Sequence, residues 1–348
     1  MNNRSLYPLQ RHALGLGFLT ILVAAYSAGC DSVEFGGVAF RVKSPQYERA
    51  MPAASPADSM AEAPLPELPQ GEVIFHVVRT DIAGAAAIQP LAEQAAGGLQ
   101  VVGPRSTDVA DAYVDAFTAR YYQPGNAYSL YRSGAAVGSF YVEEPRVSGS
   151  GVCRQLEALG YLELRPPADT LSEFLARPGH RMSQVTGLEE PAARADMAAM
   201  AQILARRGLN DRDVAGSWRV GQAADLRALS VGRGDYGFAS TFIFGDTLDT
   251  GPPADSAGMV FVVADYSPVV GFFPVFFDFD LYGPGHKRVL RWIDEADVMG
   301  DTTPEWVLKG YGDTRSWYEV VALSDTLRTP VWTSRQPVCE ARPARGGG

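Results

Sequence analysis

Eight short apolar segments follow one another through the last third of the 348-residue chain and restrict it to a strand-rich fold there. Most of them are rich in Val, Phe, Tyr or Trp, which strands favour, and Gly, Asp, Pro or Ser separates each from the next. The segments are DLRALSVG, YGFASTFIFG, GMVFVVAD, VFFDFDLY, RVLRWID, EWVLKG, SWYEVVAL and PVWTSR. Because turn signals recur at about 8–12 residues, we predict an antiparallel, meander-like β-rich region over residues 211–348. Pro274 indicates that the start of its strand is a sheet edge or the entry to a strand.

Residues 72–210 carry mixed strand and helix signals. The segment EVIFHVVR, Glu72–Arg79, predicts a strand that opens the globular part of the protein. Residues 126–144 predict a hairpin that turns at Ser133-Gly134, because apolar runs flank these two small residues on both sides.

Two helices are also predicted in this region. Over residues 108–122, apolar side chains recur at helical spacing and acids occupy the first turn. Residues 190–208 carry a stripe of Met, Ala and Leu, with Gly208 placed just beyond the last turn. Mixed elements in the first half and strands alone in the second predict an α+β fold, in which the regions 72–210 and 211–348 form two domains or one.

The first 29 residues have the order of a secretory signal peptide. Arg4 and Arg11 precede a 13-residue apolar stretch, Ala13 to Ala25, and small residues follow it up to Cys30. The apolar stretch is too short to span a bilayer comfortably. We therefore predict that the protein is exported and that residues 1–29 are removed.

The sequence SAGC, residues 27–30, resembles the lipobox of bacterial lipoproteins, although Ser27 stands where that family usually has leucine. The resemblance implies that Cys30 is lipidated, becomes the first residue of the mature protein and anchors it to a membrane of the cell envelope, in the periplasm or at the cell surface. The alternative is ordinary cleavage near Ser27, which leaves Cys30 as a free thiol.

The number of cysteines favours the lipoprotein interpretation. The chain has three cysteines, and lipidation of Cys30 leaves an even pair, Cys153 and Cys339. An even pair suits one disulfide in an oxidising compartment. We therefore predict a Cys153–Cys339 disulfide.

Residues 30–71 predict a tether between the lipid and the folded part. Six prolines and many alanines lie between residues 44 and 70, and such a segment buries too little surface to offset its ordering entropy. Without the two arginines of the signal, 28 basic and 40 acidic residues leave a net charge of −12. This acidity argues against a nucleic-acid partner, because phosphate backbones repel it.

One acidic stretch, ADVMGDTTPEWVL, suggests a metal site. Asp297, Asp301 and Glu305 are spaced as in the acidic loop of FG-GAP and related calcium-binding repeats, which this stretch resembles over nine residues. Met299 and Thr302 depart from that pattern, since they replace an oxygen ligand and a glycine. The resemblance implies a Ca²⁺ site. The alternative is a solvated turn, one of a series of Asp-Thr turns spaced 12 residues apart.

Catalytic residues are not indicated by any local motif. The chain has no G-x-S-x-G, H-E-x-x-H or C-x-x-C sequence. Asp278 and Asp280 lie on the same face of a predicted strand, which is either a solvated face or the site of an acid–base pair. His76 lies within an apolar strand, as a core or edge histidine does. The first hypothesis is a non-enzymatic envelope lipoprotein that binds an unknown protein or small molecule or has a structural role. The alternatives are a secreted hydrolase with a carboxylate- or histidine-based site and a calcium-stabilised adhesion-type module.

Overall fold

The computed structural model describes residues 66–81, 83–179, 195–214, 220–229, 236–323, 328–336 and 339, together with a small ribbon formed by β1 (Glu34–Phe35) and β2 (Val38–Ala39). The chain divides into two units, Met1–Glu62 and Ala63–Gly348. The predicted signal peptide and Cys30 lie outside the described residues.

Six strands of the second unit form a closed antiparallel barrel. The first seven strands of the unit are β3 (Glu72–Arg79), β4 (Ala85–Ala95), β5 (Gly98–Gln100), β6 (Ala127–Arg132), β7 (Ala135–Ser148), β8 (Gln155–Leu164) and β9 (Glu173–Pro178). The order around the barrel is β3-β9-β6-β7-β8-β4, a further β3–β4 pairing closes it, and β5 adds to β4. Aromatic side chains such as Phe75 and Phe140 fill it, and helix α1 (Ala110–Tyr121) contributes Tyr113 and Phe117 to the same core.

The remaining strands form two four-stranded antiparallel meanders. The first contains β10 (Asp225–Leu229), β11 (Gly237–Phe244), β12 (Ala257–Ser267) and β13 (Gly271–Tyr282). The second contains β14 (Val289–Ala296), β15 (Glu305–Tyr311), β16 (Ser316–Leu323) and β17 (Arg328–Thr333). In each sheet the strands lie in chain order. The prediction of an antiparallel, meander-like C-terminal region is confirmed, and Pro274 lies in the edge strand β13 as expected.

The barrel, the two meanders and a second helix stack as four layers. Ile74 and Leu175 on the outside of the barrel pack on Ile293 and Val307 of the β14–β17 sheet. The other face of that sheet packs on the β10–β13 sheet, and the core between them includes Trp292, Trp306, Met259 and Phe261. Helix α2 (Ala195–Asn210) covers the far face of the β10–β13 sheet with Met197, Ala201 and Leu204.

The prediction of an α+β fold is wrong, because the protein is mostly β and its described part contains only two α-helices. The error lies in the region 72–210, which is a barrel with one short helix. Strands β4 and β9 were not predicted. The β4 sequence AAAIQPLAEQA is rich in helix formers, yet it pairs with both β3 and β8, and the register shift beside Pro90 accommodates the missing N–H. Tertiary pairing therefore overrides the local propensity.

Both predicted helices and the predicted hairpin exist, with one error of detail. The turn residues Ser133 and Gly134 both have positive φ, +47° and +75°, as a tight two-residue hairpin requires. Gly208 does not end its helix, since α2 continues to Asn210. Instead Gly208 is buried against Phe277, whose ring an added Cβ would overlap. The start of the predicted helix, residues 190–194, lies outside the described residues.

We predict that Gly160→Ala destabilises the barrel by at least about 2 kcal/mol, because overpacking forces the surrounding backbone to move. Gly160 lies in β8, and a Cβ there would overlap the carbonyl oxygen of Tyr141 on the neighbouring strand. Urea unfolding followed by circular dichroism measures the loss. Gly97→Ala is the matched control, because nothing lies within 4 Å of its added Cβ. Equal stability of the two variants would contradict the prediction.

Candidate functional site

The predicted disulfide joins the barrel to the C-terminal end of the described chain. Cys153 follows β7 in a single 3₁₀ turn, and it is bonded to Cys339 with a Cα–Cα distance of 5.3 Å. Thr314 Oγ1, in the turn between β15 and β16, donates a hydrogen bond to the Cys339 carbonyl at 3.1 Å. The prediction is confirmed, and of the three cysteines of the chain it leaves Cys30 alone available for modification.

The structure brings together the three acids of the predicted calcium loop. Asp297, Asp301 and Glu305 lie between the end of β14 and the start of β15, and one oxygen of each lies within 4.8 Å of the others. Two oxygens bound to one Ca²⁺ at about 2.4 Å are separated by at most about 4.8 Å, so the spacing is compatible with the ion. Thr302, which replaces the glycine of the family pattern, has a φ of +72°, the conformation that glycine adopts easily.

Backbone amides already use much of the capacity of these carboxylates. The two oxygens of Asp297 accept hydrogen bonds from the amides of Gly300, Asp301 and Thr302 at 2.6 to 3.2 Å. Glu305 Oε2 accepts from two further amides at 3.0 and 3.2 Å. Burial raises the pKa of Glu305 despite these bonds. Three carboxylates supply fewer oxygens than the six to eight that calcium takes. The loop is held by its own acids, and calcium binding there stays a prediction.

We predict that Asp297→Ala lowers stability by about 1 kcal/mol, because three amides lose the acceptor that caps them. Asp301→Ala is the matched control and should cost less, since that carboxylate accepts from one amide, that of Thr303. Thermal unfolding with calcium and with a chelator measures both effects. Equal losses would contradict the capping role. A calcium-dependent rise in melting temperature that both variants abolish would confirm the predicted calcium site.

A buried ionic cluster lies where the barrel meets the two sheets. At its centre is Glu173, the first residue of β9, which faces out of the barrel and is buried. Arg291 of β14 donates to both carboxylate oxygens, with Nη1 2.6 Å from Oε2, and Arg227 of β10 donates to Oε2 at 3.0 Å. His76 Nε2 of β3 lies 3.4 Å from Oε1. One carboxylate therefore contacts cationic or imidazole groups from three other strands.

Hydroxyl and amide groups surround this cluster. The Tyr318 hydroxyl lies 3.2 Å from His76 Nδ1 and 3.4 Å from the Gln89 side-chain oxygen. Arg291 Nε donates to the Tyr311 hydroxyl at 3.2 Å. Lys309 is half-buried beside these groups, with Nζ 5.5 Å from the centre of the Tyr311 ring. Burial, together with the charge of Arg291, lowers the pKa of Lys309 to about 8.

The electrostatics of the cluster keep Glu173 ionised and His76 neutral. Burial by itself would raise the pKa of Glu173, but the interactions with His76 and Arg291 outweigh it and hold that pKa well below its usual range. Burial lowers the pKa of His76 to about 4, since the contact with Glu173 only partly offsets the desolvation and the charges of Lys309 and Arg291 add to it.

The cluster leaves no local signal in the sequence, because its members are far apart in the chain. Glu173 and Arg291 are separated by 118 residues, so no local spacing reveals them. The acid pair that was considered, Asp278 and Asp280, lies on β13. Asp278 accepts from Arg288 Nη1 at 2.6 Å, and Arg288 also reaches Glu319 at 3.3 Å. Asp278 is therefore engaged in an ion pair.

Two of the concave regions that described residues line bear on ligand binding. The larger, with a volume of about 580 Å³, lies between α1 and β7 and is within the size range of small-molecule sites. Its lining residues are Val114, Asp115, Thr118, Ala119, Tyr122, Gln123, Pro124, Pro145 and Val147. The smaller, of about 60 Å³, lies next to the ionic cluster, and its lining includes Gln89, Arg154, Arg315 and Tyr318.

Comparison with protein-family models, with curated proteins and with solved structures finds no match for this chain. Among the described residues, no helix is both long and apolar enough to cross a membrane.

We predict that stability falls by about 2 kcal/mol between pH 7 and pH 5, because the unfolded chain protonates His76 near pH 6.5 whereas the folded protein does so only near pH 4. A histidine with a lowered pKa contributes stability above pH 6.5, and this contribution is lost as the pH falls. Urea unfolding across this range measures the effect. His76→Gln should flatten the profile, and the exposed His286→Gln should leave it unchanged. A profile that is the same in all three proteins would contradict the prediction.

Proposed function

We propose that this chain is an exported lipoprotein of the bacterial cell envelope, anchored through Cys30, whose β body has a binding or structural role rather than a catalytic one. The observation that carries the proposal is the Cys153–Cys339 disulfide. It accounts for both other cysteines, it suits an oxidising compartment, and it leaves the lipobox-like cysteine for the lipid. The apolar stretch at residues 13–25 supports export.

The ionic cluster supports a structural rather than a catalytic role for the chemically active side chains. Glu173 is buried, and Arg291 and Arg227 occupy its oxygens. Because these ion pairs lie between packed layers, they fix the positions of the layers. A substrate could reach Glu173 only by displacing the arginines. A general base needs an oxygen or nitrogen that a substrate proton can reach, whereas His76 is buried between the barrel and a sheet.

The groove between α1 and β7 supports a binding role. Its volume of about 580 Å³ is that of a small-molecule site, and apolar side chains such as Val114, Val147 and Pro145 alternate there with the polar groups of Asp115 and Thr118. Thr118 Oγ1 is buried and has no hydrogen-bond partner within the described part of the chain. This combination favours a small molecule or a short protein segment that offers both apolar surface and a hydrogen-bonding group.

We predict that the full chain, expressed in a Gram-negative host fed an alkyne-bearing fatty acid, incorporates the label at Cys30. The reason is that the lipid is attached to the cysteine that the signal places first. Mass spectrometry of the N-terminal peptide locates the label, and intact mass before and after reduction and alkylation counts the thiols.

Cys30→Ser should abolish the label. The matched control is Cys339→Ser, which removes a cysteine outside the signal and should retain the label. A free Cys30 thiol in the exported protein would contradict the proposal, as would label that persists in Cys30→Ser.

A further inference from the structure

The hairpin between β12 and β13 ends in an exposed apolar tip. Its turn consists of Pro268, Val269 and Val270, and it is followed by Gly271 with a φ of +75°. Val269 is 90% exposed and Val270 is 69% exposed. Valine is among the residue types most often buried in folded proteins, so two adjacent valines at the apex of a turn need an explanation.

The tip projects beyond the sheet that carries it. The last pair between β11 and β12 is Phe238 with Ala264. The β12–β13 ribbon continues for three more pairs, the last of which is Ser267 with Gly271. At about 3.3 Å per residue this extension is about 10 Å long, and the turn lies beyond it. The valines are therefore presented away from the body of the sheet.

Aromatic rings pack on one face of the base of the projecting ribbon, the face that α2 covers. Tyr236 stacks on Tyr266 with a centroid distance of 4.8 Å, and Phe272 contacts Tyr266 at 5.1 Å and Phe238 at 5.2 Å. Tyrosines that flank an aliphatic apex are the arrangement that suits a membrane interface, where their rings lie at the level of the lipid headgroups.

Asp265, in the first pair of the extension, is its one acidic residue, and the tip beyond it carries no charge. The twelve residues from Tyr266 to Phe277 include no Asp, Glu, Lys or Arg, although charged residues make up 20% of the chain. In a mature protein with a net charge of −12, an uncharged tip is a surface that approaches lipid without the cost of desolvating its own ions.

We propose that the β12–β13 tip is a second membrane contact, which inserts Val269 and Val270 into the lipid surface to which Cys30 anchors the chain. This inference rests on the proposed lipoprotein function. The 35 residues between Cys30 and Pro66 reach at most about 120 Å, so the lipid by itself does not set which face of the body meets the membrane. Insertion of the tip fixes that orientation and adds apolar burial to the lipid anchor.

The test uses the mature chain from residue 30 with Cys30→Ala, so that the lipid cannot contribute. Flotation with phosphatidylcholine vesicles measures its partition, because neutral lipid does not repel the acidic body. We expect binding that Val269→Ser with Val270→Ser weakens at least about tenfold, since two apolar side chains no longer enter the bilayer. Val331→Ser is the matched control, because Val331 is 48% exposed on β17, outside the tip, and should not alter the partition.

Circular dichroism of each variant confirms that it is folded. Failure of the Cys30→Ala chain to float would overturn the inference, as would equal flotation of the tip variant and the Val331→Ser control. A third outcome would also overturn the inference: the Cys30→Ala chain does not bind vesicles but sediments as a dimer, and the tip variant sediments as a monomer. The tip would then contact a second copy of the chain. The fatty-acid labelling of Cys30 is independent of these results, so failure of the tip and failure of the lipid anchor are distinguishable.

Discussion

The register between the layers depends on one buried carboxylate, that of Glu173. It belongs to the barrel, and its partners Arg291 and Arg227 belong to the two different sheets. A buried charge that loses its partner costs several kcal/mol, so the barrel and both sheets must keep hydrogen-bonding distance from one point. His76 completes the shell as a neutral group. Apolar packing alone tolerates sliding between layers, whereas this set of directional bonds specifies one arrangement.

The β14–β17 sheet is the layer on which the others are assembled, because both of its faces are buried. Trp292 and Trp306 point to the β10–β13 sheet, while Ile293 and Val307 point to the barrel. Antiparallel sheets commonly leave one face in water and then alternate apolar and polar residues. Here β14 and β15 are buried over most of their length, and the barrel covers them with apolar side chains such as Ile74 and Leu175 beside the ionic cluster. Apolar packing therefore holds each interface of the stack.

The sequence allowed prediction of those parts of the fold that local signals determine. The strands after residue 225 were predicted correctly, since turn residues delimit each of them. The acids of the loop at 297–305 were found because they lie within nine residues. The barrel was not predicted for two reasons. Its closure depends on pairings between residues far apart in the chain, such as Leu130 with Ala176, and β4 carries helix-forming residues. Glu173 and Arg291 meet only after that closure. The disulfide was predicted by counting cysteines, without any information on geometry.

The acidic character of the protein has a structural use that its calcium-like loop illustrates. Folds built from hairpins leave many turn amides without a partner in the ladders, and in this chain carboxylates accept from them. Glu93 caps the amides of Gln70 and Gly71, and Asp313 caps those of Gly285 and Lys287. Asp297 does the same for three amides in its own loop. Alternating acids around a turn are thus what a capped β-turn and a calcium loop have in common. The spacing alone does not distinguish the two, because both need oxygens directed to the inside of the same bend.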